Sequence, residues 1–271
     1  MQINPKKINE FRRVVRTYYI KNKRDLPWRR TADPYRIFIS EIMLQQTQVP
    51  RVLVKYPEFL KAFPNFESLA GSSLLDVLKV WQGMGYNRRA KYLRESAVAI
   101  LRNFHGKLPH TPEQLDELPG IGRATACSIA AFVFNLPTVF IETNIRRVFI
   151  HHFFKDRKEI DDTELMPLVE KALDKKNPRE WYWALMDYGS YLVKIVDNPN
   201  KKSRHYVRQS AFGPSDRRIR GLILKKLLLK PFSSDELSRL IVEPAERVEK
   251  IIDSLVREDF LVKKGKKFNI K

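Results

Sequence analysis

The sequence predicts a mostly α-helical protein on three observations. Apolar residues recur at helical spacing along most of the 271 residues, capping signals for helix starts recur, and strand-like alternation is nearly absent. Ile8, Phe11, Val14, Val15, Tyr18 and Tyr19 mark one face of a first helix. Ile37 to Leu44 is a second helical run, apolar but for Ser40 and Glu41, and the amides Gln45, Gln46 and Gln48 follow it. Trp81-Gln82-Gly83-Met84-Gly85-Tyr86-Asn87-Arg88-Arg89 joins two helical runs through a glycine-rich turn. Thr111-Pro112-Glu113-Gln114, Asn177-Pro178-Arg179-Glu180 and Ser233-Ser234-Asp235-Glu236 each put a cap three residues before Glu or Gln.

Pro119-Gly120-Ile121-Gly122-Arg123 is a tight turn opening a helix from Ala124 to Phe134, whose free N–H groups can hold a phosphate oxygen. Thr138 to Ile141 reads as a short strand leading into Glu142 and a further helix. Turn residues and charge between Asn198 and Ser215 mark a boundary. Beyond it the pattern predicts helices over 216–229, 234–241 and 244–260 and a hairpin over 261–270, a winged-helix-like order. No repeat of 20 to 50 residues and no low-complexity segment is present.

The chain carries 51 Lys plus Arg against 31 Asp plus Glu, a net charge of +20 that favours a polyanionic partner. From Lys201 onward there are 19 basic and 9 acidic residues, so this end holds +10 of that charge. The composition is 43% hydrophobic and 11% aromatic, enough to fill real cores, which excludes a disordered basic protein. No apolar run reaches the roughly 18 residues of a membrane span and the N-terminus lacks a signal-peptide core, so a cytoplasmic, nucleoid-associated protein is expected. The single cysteine, Cys127, excludes an intrachain disulfide and any four-cysteine cluster, and it reads as a core residue.

Glu41 is a carboxylate flanked by apolar residues, where desolvation can keep it protonated near neutrality as a general acid; the alternative is one exposed helix position. The glutamines beside it suit base edges or simply solvent. Glu142 and Asn144, ahead of Arg146 and Arg147, suit either a carboxylate that stabilises a developing cation or an ordinary helix cap. Cleaving a purine from deoxyribose builds an oxocarbenium-like sugar, so an acid on the base and a carboxylate near the sugar would divide the work. Tyr86 reads as a wedge into a base stack or as a capping hydrophobe.

Taken in order, Leu26-Pro27-Trp28-Arg29, Pro34-Tyr35, Ser40-Glu41-Ile42-Met43-Leu44-Gln45-Gln46-Thr47-Gln48-Val49, Gly83-Met84-Gly85-Tyr86, Leu118-Pro119-Gly120-Ile121-Gly122 and Glu142-Thr143-Asn144 resemble the helix-hairpin-helix DNA glycosylases, nearest the MutY adenine glycosylase branch. The resemblance covers residues 5 to 200. It implies a two-lobed fold with DNA in the cleft: a six-helix barrel over 31–138, its hairpin at about 112–134, beside a helical domain of 1–30 plus 139–200. A linker over 201–214 and a small α+β domain over 215–271 complete the expected layout. Glu41 matches the acid that protonates adenine, Asn144 and Arg29 match supporting polar residues, and Tyr86 matches the intercalating tyrosine. Gln45, Gln46, Gln48, Arg88, Gly120, Gly122, Arg123, Thr125 and Arg146 are expected on DNA.

Four departures qualify the resemblance. Glu142 stands where the family carries an aspartate, so weakened turnover, another substrate or a non-catalytic lesion-binding protein are alternatives. Ala124 stands where bifunctional relatives have a Schiff-base lysine, which excludes lyase chemistry through a lysine at that position. Residues 191–198 hold none of the cluster cysteines, so no iron-sulfur cluster is expected. The winged-helix-like end replaces a Nudix-like domain, which leaves open how an opposite base such as 8-oxoguanine is read. The expectation is thus a monofunctional, monomeric glycosylase acting on double-stranded DNA with a mispaired or damaged base. It needs no cofactor, its one candidate ion being a monovalent cation at the hairpin carbonyls. A regulator built around the winged helix is the remaining alternative.

Overall fold

In a computed structural model, residues 4–207, 213 and 215–271 are described. Among them are fourteen α-helices, two 3₁₀ turns and one two-stranded sheet. In chain order the elements are α1 (Pro5–Asn22), a 3₁₀ turn (Pro27–Arg29), α2 (Pro34–Leu44), α3 (Val49–Ala62), α4 (Phe66–Gly71), α5 (Leu74–Trp81), α6 (Arg88–Phe104), α7 (Pro112–Asp116) and α8 (Arg123–Phe134). They continue with α9 (Thr143–Phe153), α10 (Asp162–Ala172), α11 (Pro178–Ile195), a 3₁₀ turn (Pro199–Lys202), α12 (Asp216–Leu227), α13 (Ser234–Ile241), α14 (Ala245–Arg257), β1 (Leu261–Lys264) and β2 (Lys267–Ile270). None of the helices is long and apolar enough to cross a membrane.

Two compact units account for the chain. The first comprises 1–41, 109–117 and 121–208, the second 42–108, 118–120 and 209–271. In the first, α9 and α11 pack together, α1 lies on α10 and α11, and α7 pairs with α8. Its core is aromatic: Phe11 touches Phe149, Phe153 and Trp181 within ring distances of 4.9 to 6.0 Å. Gly189 in α11 decides how closely α9 can approach, because a Cβ there would sit 2.6 Å from the Asn144 carbonyl oxygen.

In the second unit α4 and α5 pack on α6, and α3 on α5. The turn at Gly120 rests on α6: its φ is +74°, a Cβ would come within 2.6 Å of the Tyr92 ring, and Ser96 Oγ donates to the Pro119 carbonyl at 3.0 Å. The last three helices pack on one another, with β1 against α14 and β2 against α12. β1 and β2 pair antiparallel with Leu261 opposite Ile270 and Lys264 opposite Lys267.

Local differences from the sequence reading have physical causes. Thr138–Ile141 forms no strand; Thr138 Oγ1 donates to the Cys127 carbonyl at 2.7 Å and the Tyr182 hydroxyl donates to the Thr138 carbonyl at 2.7 Å, so this backbone is held by side chains. Thr111 and Ser233 cap as expected, Ser233 in a full capping box with Glu236, whereas Asn177 offers no side-chain cap and opens its helix through its backbone carbonyl to Trp181 N. Val14 faces outward while Ile8, Phe11, Val15 and Tyr19 are buried. Of the expected 201–214 linker, Ser203 is buried and bridges to Ile160; residues 208–212 and 214 lie outside the described residues.

Candidate active site

Glu41 is set by α2, whose Ile37, Phe38, Ile39, Ile42 and Met43 are all buried and leave the carboxylate at the one polar position of that stretch that is not fully enclosed. Ser128 of α8 lies with Oγ 2.9 Å from Glu41 Oε2 and 2.9 Å from the Thr125 carbonyl. A hydroxyl has one proton, so Ser128 can donate to an ionised Glu41, or donate to the carbonyl while accepting from a protonated one. Burial pushes the Glu41 carboxyl up to about 7 and the Glu142 charge adds to that, while Ser128 and Arg29 pull it down. Glu41 therefore feels the Glu142 charge within the first unit.

Glu142 is the N-cap of α9. Its Oε1 accepts from the Asn144 and Ile145 backbone N–H groups at 2.7 and 2.8 Å, and its Oε2 from Asn144 Nδ2 at 3.2 Å. The Asn144 orientation follows from its other contact: Arg147, which can only donate, reaches Asn144 Oδ1 at 2.8 Å and the Gly189 carbonyl at 2.7 Å. Burial raises the Glu142 carboxyl against the pull of those amides and of Arg147. The cap reading weighed for this residue holds, and capping fixes the direction of the carboxylate.

Arg29 is nearly enclosed and forms a two-pronged pair with Asp187 of α11 at 2.8 Å on each arm, and its guanidinium lies 5.4 Å from the Trp183 ring centre. Arg24 also holds Asp187, through its backbone N–H at 2.9 Å and Nε at 2.6 Å. Burial opposes ionisation of Asp187, but the two arginines win and keep it below the usual carboxylate range. Arg29 thus reaches Glu41 by its field and Asp187 by contact. Arg146 is committed to Asp162 at 2.6 and 2.7 Å, and exposed Arg123 to Glu113 at 2.8 Å. Gly122 caps α8 with open space above it and no side-chain cap, and Thr125 is half-buried on the first turn of that helix.

In the second unit, Gln46 and Gln48 are exposed and Gln45 half-buried, with Gln46 at a φ of +52°. Their turn is tied to the Gly83–Tyr86 turn by one buried residue, Arg89. It donates to the carbonyls of Ile42 at 3.0 Å, Met43 at 2.9 Å, Gln45, and Met84 and Gly85 at 3.3 Å, and to Thr47 Oγ1 at 2.8 Å. Burial lowers the Arg89 pKa to about 10. Tyr86 is half-buried at a φ of +46°, and Arg88 pairs with Glu258 at 2.7 Å on both arms.

The sequence reading did not name Ser128, Asp187 or Arg24, named Arg147 only as a basic neighbour of Glu142, and singled out Arg88 rather than Arg89. Asp187 carried the signal used for Glu41, an acid inside an apolar helical run. Among the described residues no three His, Cys, Asp or Glu side chains stand together as a metal site.

Residues 39–175 match the family described as HhH-GPD superfamily base excision DNA repair protein. The chain is 34% identical over 193 residues to an adenine DNA glycosylase of Buchnera aphidicola, covering 70% of this chain and 54% of that one. It is 41% identical over 132 residues to an adenine DNA glycosylase of Mycobacterium tuberculosis, 48% of this chain and 43% of that one. Among solved structures, a thermostable thymine-DNA glycosylase superposes with a TM-score of 0.63 at 25% identity, over 73% of this chain and 92% of that one. The chain spans about half the length of the curated relatives it matches.

Proposed function

The chain belongs to the HhH-GPD superfamily of base excision DNA repair proteins, and from that membership we propose that it is a monofunctional DNA glycosylase that removes mispaired adenine from double-stranded DNA. The carrying observation is the pairing of Glu41 with Glu142, one carboxyl pushed up to about 7, the other ringed by three N–H donors. N–H groups only donate, so the Glu142 oxygens facing them are held as acceptors, the form that suits a carboxylate beside a cationic sugar. Glu41, whose partner is a hydroxyl able to accept, is suited to carry a proton.

Glu41 donates that proton to a ring nitrogen of adenine, and the N-glycosidic electron pair leaves with the base. The oxocarbenium-like sugar is stabilised by the Glu142 carboxylate; water adds at C1′ and returns its proton to Glu41. Asn144 and Arg147 fix the aim of Glu142, and Arg29, held by Asp187, adds a smaller pull on Glu41. Tyr86 serves as the wedge that opens the base stack, and Gln45, Gln46, Gln48, Arg88, Arg123, Thr125, Arg146 and the Gly120–Gly122 turn serve on DNA. Ala124 supplies no amine, so no lysine-dependent strand cleavage is expected there. The site needs no cofactor, and the enzyme acts as a monomer on cytoplasmic DNA.

Purified protein is expected to leave alkali-labile abasic sites in duplexes with adenine opposite 8-oxoguanine or guanine. Excision should fall as pH rises through about 7, because the active Glu41 is the protonated one. Glu41→Gln should bind the duplex and release no base. Intact DNA across every mispair would overturn the proposal. The similarity to a thymine-DNA glycosylase supports a second reading, excision of a different mispaired base by the same pair of carboxylates; a base-release screen over all mispairs separates the two.

A further inference from the structure

The C-terminal helices do more than cover the second unit, because they hold the tyrosine of the Gly83–Tyr86 turn. Arg217, on the first turn of α12, donates from Nη1 to the Tyr86 hydroxyl at 2.8 Å, and its guanidinium carbon lies 5.7 Å from the centre of the Tyr86 ring. Arg89 lies 5.5 Å from the same ring. The phenol is thus gripped by two cations, one from the helix that follows it and one from a segment more than a hundred residues later.

That grip is braced by a second contact. Glu258, just beyond α14, accepts from Arg88 at 2.7 Å on both arms and from Arg220 at 2.9 Å on one arm and 2.5 Å on the other, and Ser254 Oγ adds a bond at 2.8 Å. Lys91 donates to the Glu258 backbone carbonyl at 2.6 Å. Arg220 also lies 4.9 Å from the ring centre of fully buried Phe260. Tethering Arg88 and Lys91 in this way fixes the first turn of α6, and Tyr86 immediately precedes that turn. A half-buried side chain on a left-handed backbone, φ +46°, needs such an external brace to keep one orientation.

We infer that Arg217 is a positioning residue for Tyr86, so that the C-terminal segment sets the wedge by which the protein unstacks a mispaired base. The inference rests on the reading of Tyr86 as a wedge. Arg217 touches no reacting atom; it acts by limiting where the phenol can point, and ordering a side chain beforehand removes that cost from the flipping step. A base that is already unpaired and unstacked needs no wedge, so the effect should fall on stacked mispairs alone.

The test reads unstacking without chemistry: the full chain is titrated with a duplex carrying 2-aminopurine beside an adenine mispair, and fluorescence is followed. Wild type should raise the fluorescence. Arg217→Ala and Tyr86→Phe should each cut that rise several-fold, and the double variant should lose no more than either single one. Tyr86→Phe keeps the ring and tests the hydroxyl without threatening the fold, while Arg217→Lys, which keeps a donor, should recover part of the signal. Excision of adenine from a single-stranded bulge should be unchanged in Arg217→Ala and Arg217→Lys.

No rise with wild type, additive losses, or singles that retain the full rise would each overturn the inference. So would equal losses of excision on stacked and bulged substrates, which would make Arg217 merely structural. A wild-type protein that unstacks the duplex but releases no base would instead overturn the glycosylase reading and leave this inference standing.

Discussion

Buried charge is arranged in opposite senses at two places, one in each unit. In the first, donors converge on acids: three N–H groups on Glu142, two arginines on Asp187, one hydroxyl on Glu41. In the second, a buried cation spreads over acceptors, with Arg89 gathering five backbone carbonyls and a threonine hydroxyl from two turns. The first arrangement sets protonation states and the direction of carboxylate oxygens, which are the terms that chemistry uses. The second sets the posture of exposed loops, which recognition uses. The difference teaches that donors converging on an acid fix its ionisation and aim, whereas carbonyls converging on an arginine fix the backbone around it.

Breaking the first arrangement at Glu142 should give the largest effect. Glu142→Gln keeps an acceptor for the α9 amides but removes the charge, and single-turnover excision should slow by about 10³-fold, the scale of losing one electrostatic stabiliser. Glu142→Asp keeps both charge and cap, aspartate being a favoured N-cap, and should stay within roughly tenfold of wild type. A glutamine variant at wild-type rate would show that no cation is stabilised there.

Breaking the second arrangement at Arg89 should show in stability instead. Arg89→Met fills similar volume but strands the carbonyls of Ile42, Met43, Gln45 and Met84, while Gly85 keeps its bond from Trp81 Nε1 at 3.0 Å. Unsatisfied buried acceptors of this kind cost about 1–3 kcal/mol each when water cannot reach them, so a loss of about 3 kcal/mol or more is expected in urea unfolding. An unchanged midpoint would mean that the two turns hold themselves.

Glu41 and Arg89 mark how far a local sequence signal reaches. Glu41 was legible because its anomaly is local, a carboxylate in an apolar helical run, and so was the Ser233 cap, whose partners lie within three residues. Arg88 and Arg89 look alike in the sequence. Which one turns inward depends on α6 meeting a turn more than forty residues earlier, and the sequence carries no local trace of that meeting. Thr138–Ile141 failed for the same reason in reverse: its apolar run suggested a strand, but a strand needs a neighbour, and the Thr138 carbonyl went to the Tyr182 hydroxyl and its N–H to the Leu136 carbonyl instead. Arg217 carried no signal at all, since its meaning lies in the tyrosine it reaches.

The smallest expected effect sharpens the comparison most, because Ser128 gives Glu41 a partner that can both donate and accept, unlike the N–H groups around Glu142. Two neutral bonds, carboxyl to hydroxyl and hydroxyl to the Thr125 carbonyl, compete with one charge-assisted bond from the hydroxyl to the carboxylate. The charge-assisted bond is roughly twice as strong as a neutral one, and the bond back to Thr125 is a weak helix back-bond, so Ser128 on balance favours the ionised acid. Ser128→Ala should therefore raise the Glu41 pKa from about 7, moving the alkaline limb of the excision profile upward by about half a unit. Ser128→Thr, which keeps the hydroxyl, should restore it. A limb that moves downward would mean that the hydroxyl chiefly receives the proton of Glu41, making Ser128 a stabiliser of the acid form and placing burial and Ser128 on the same side of that balance.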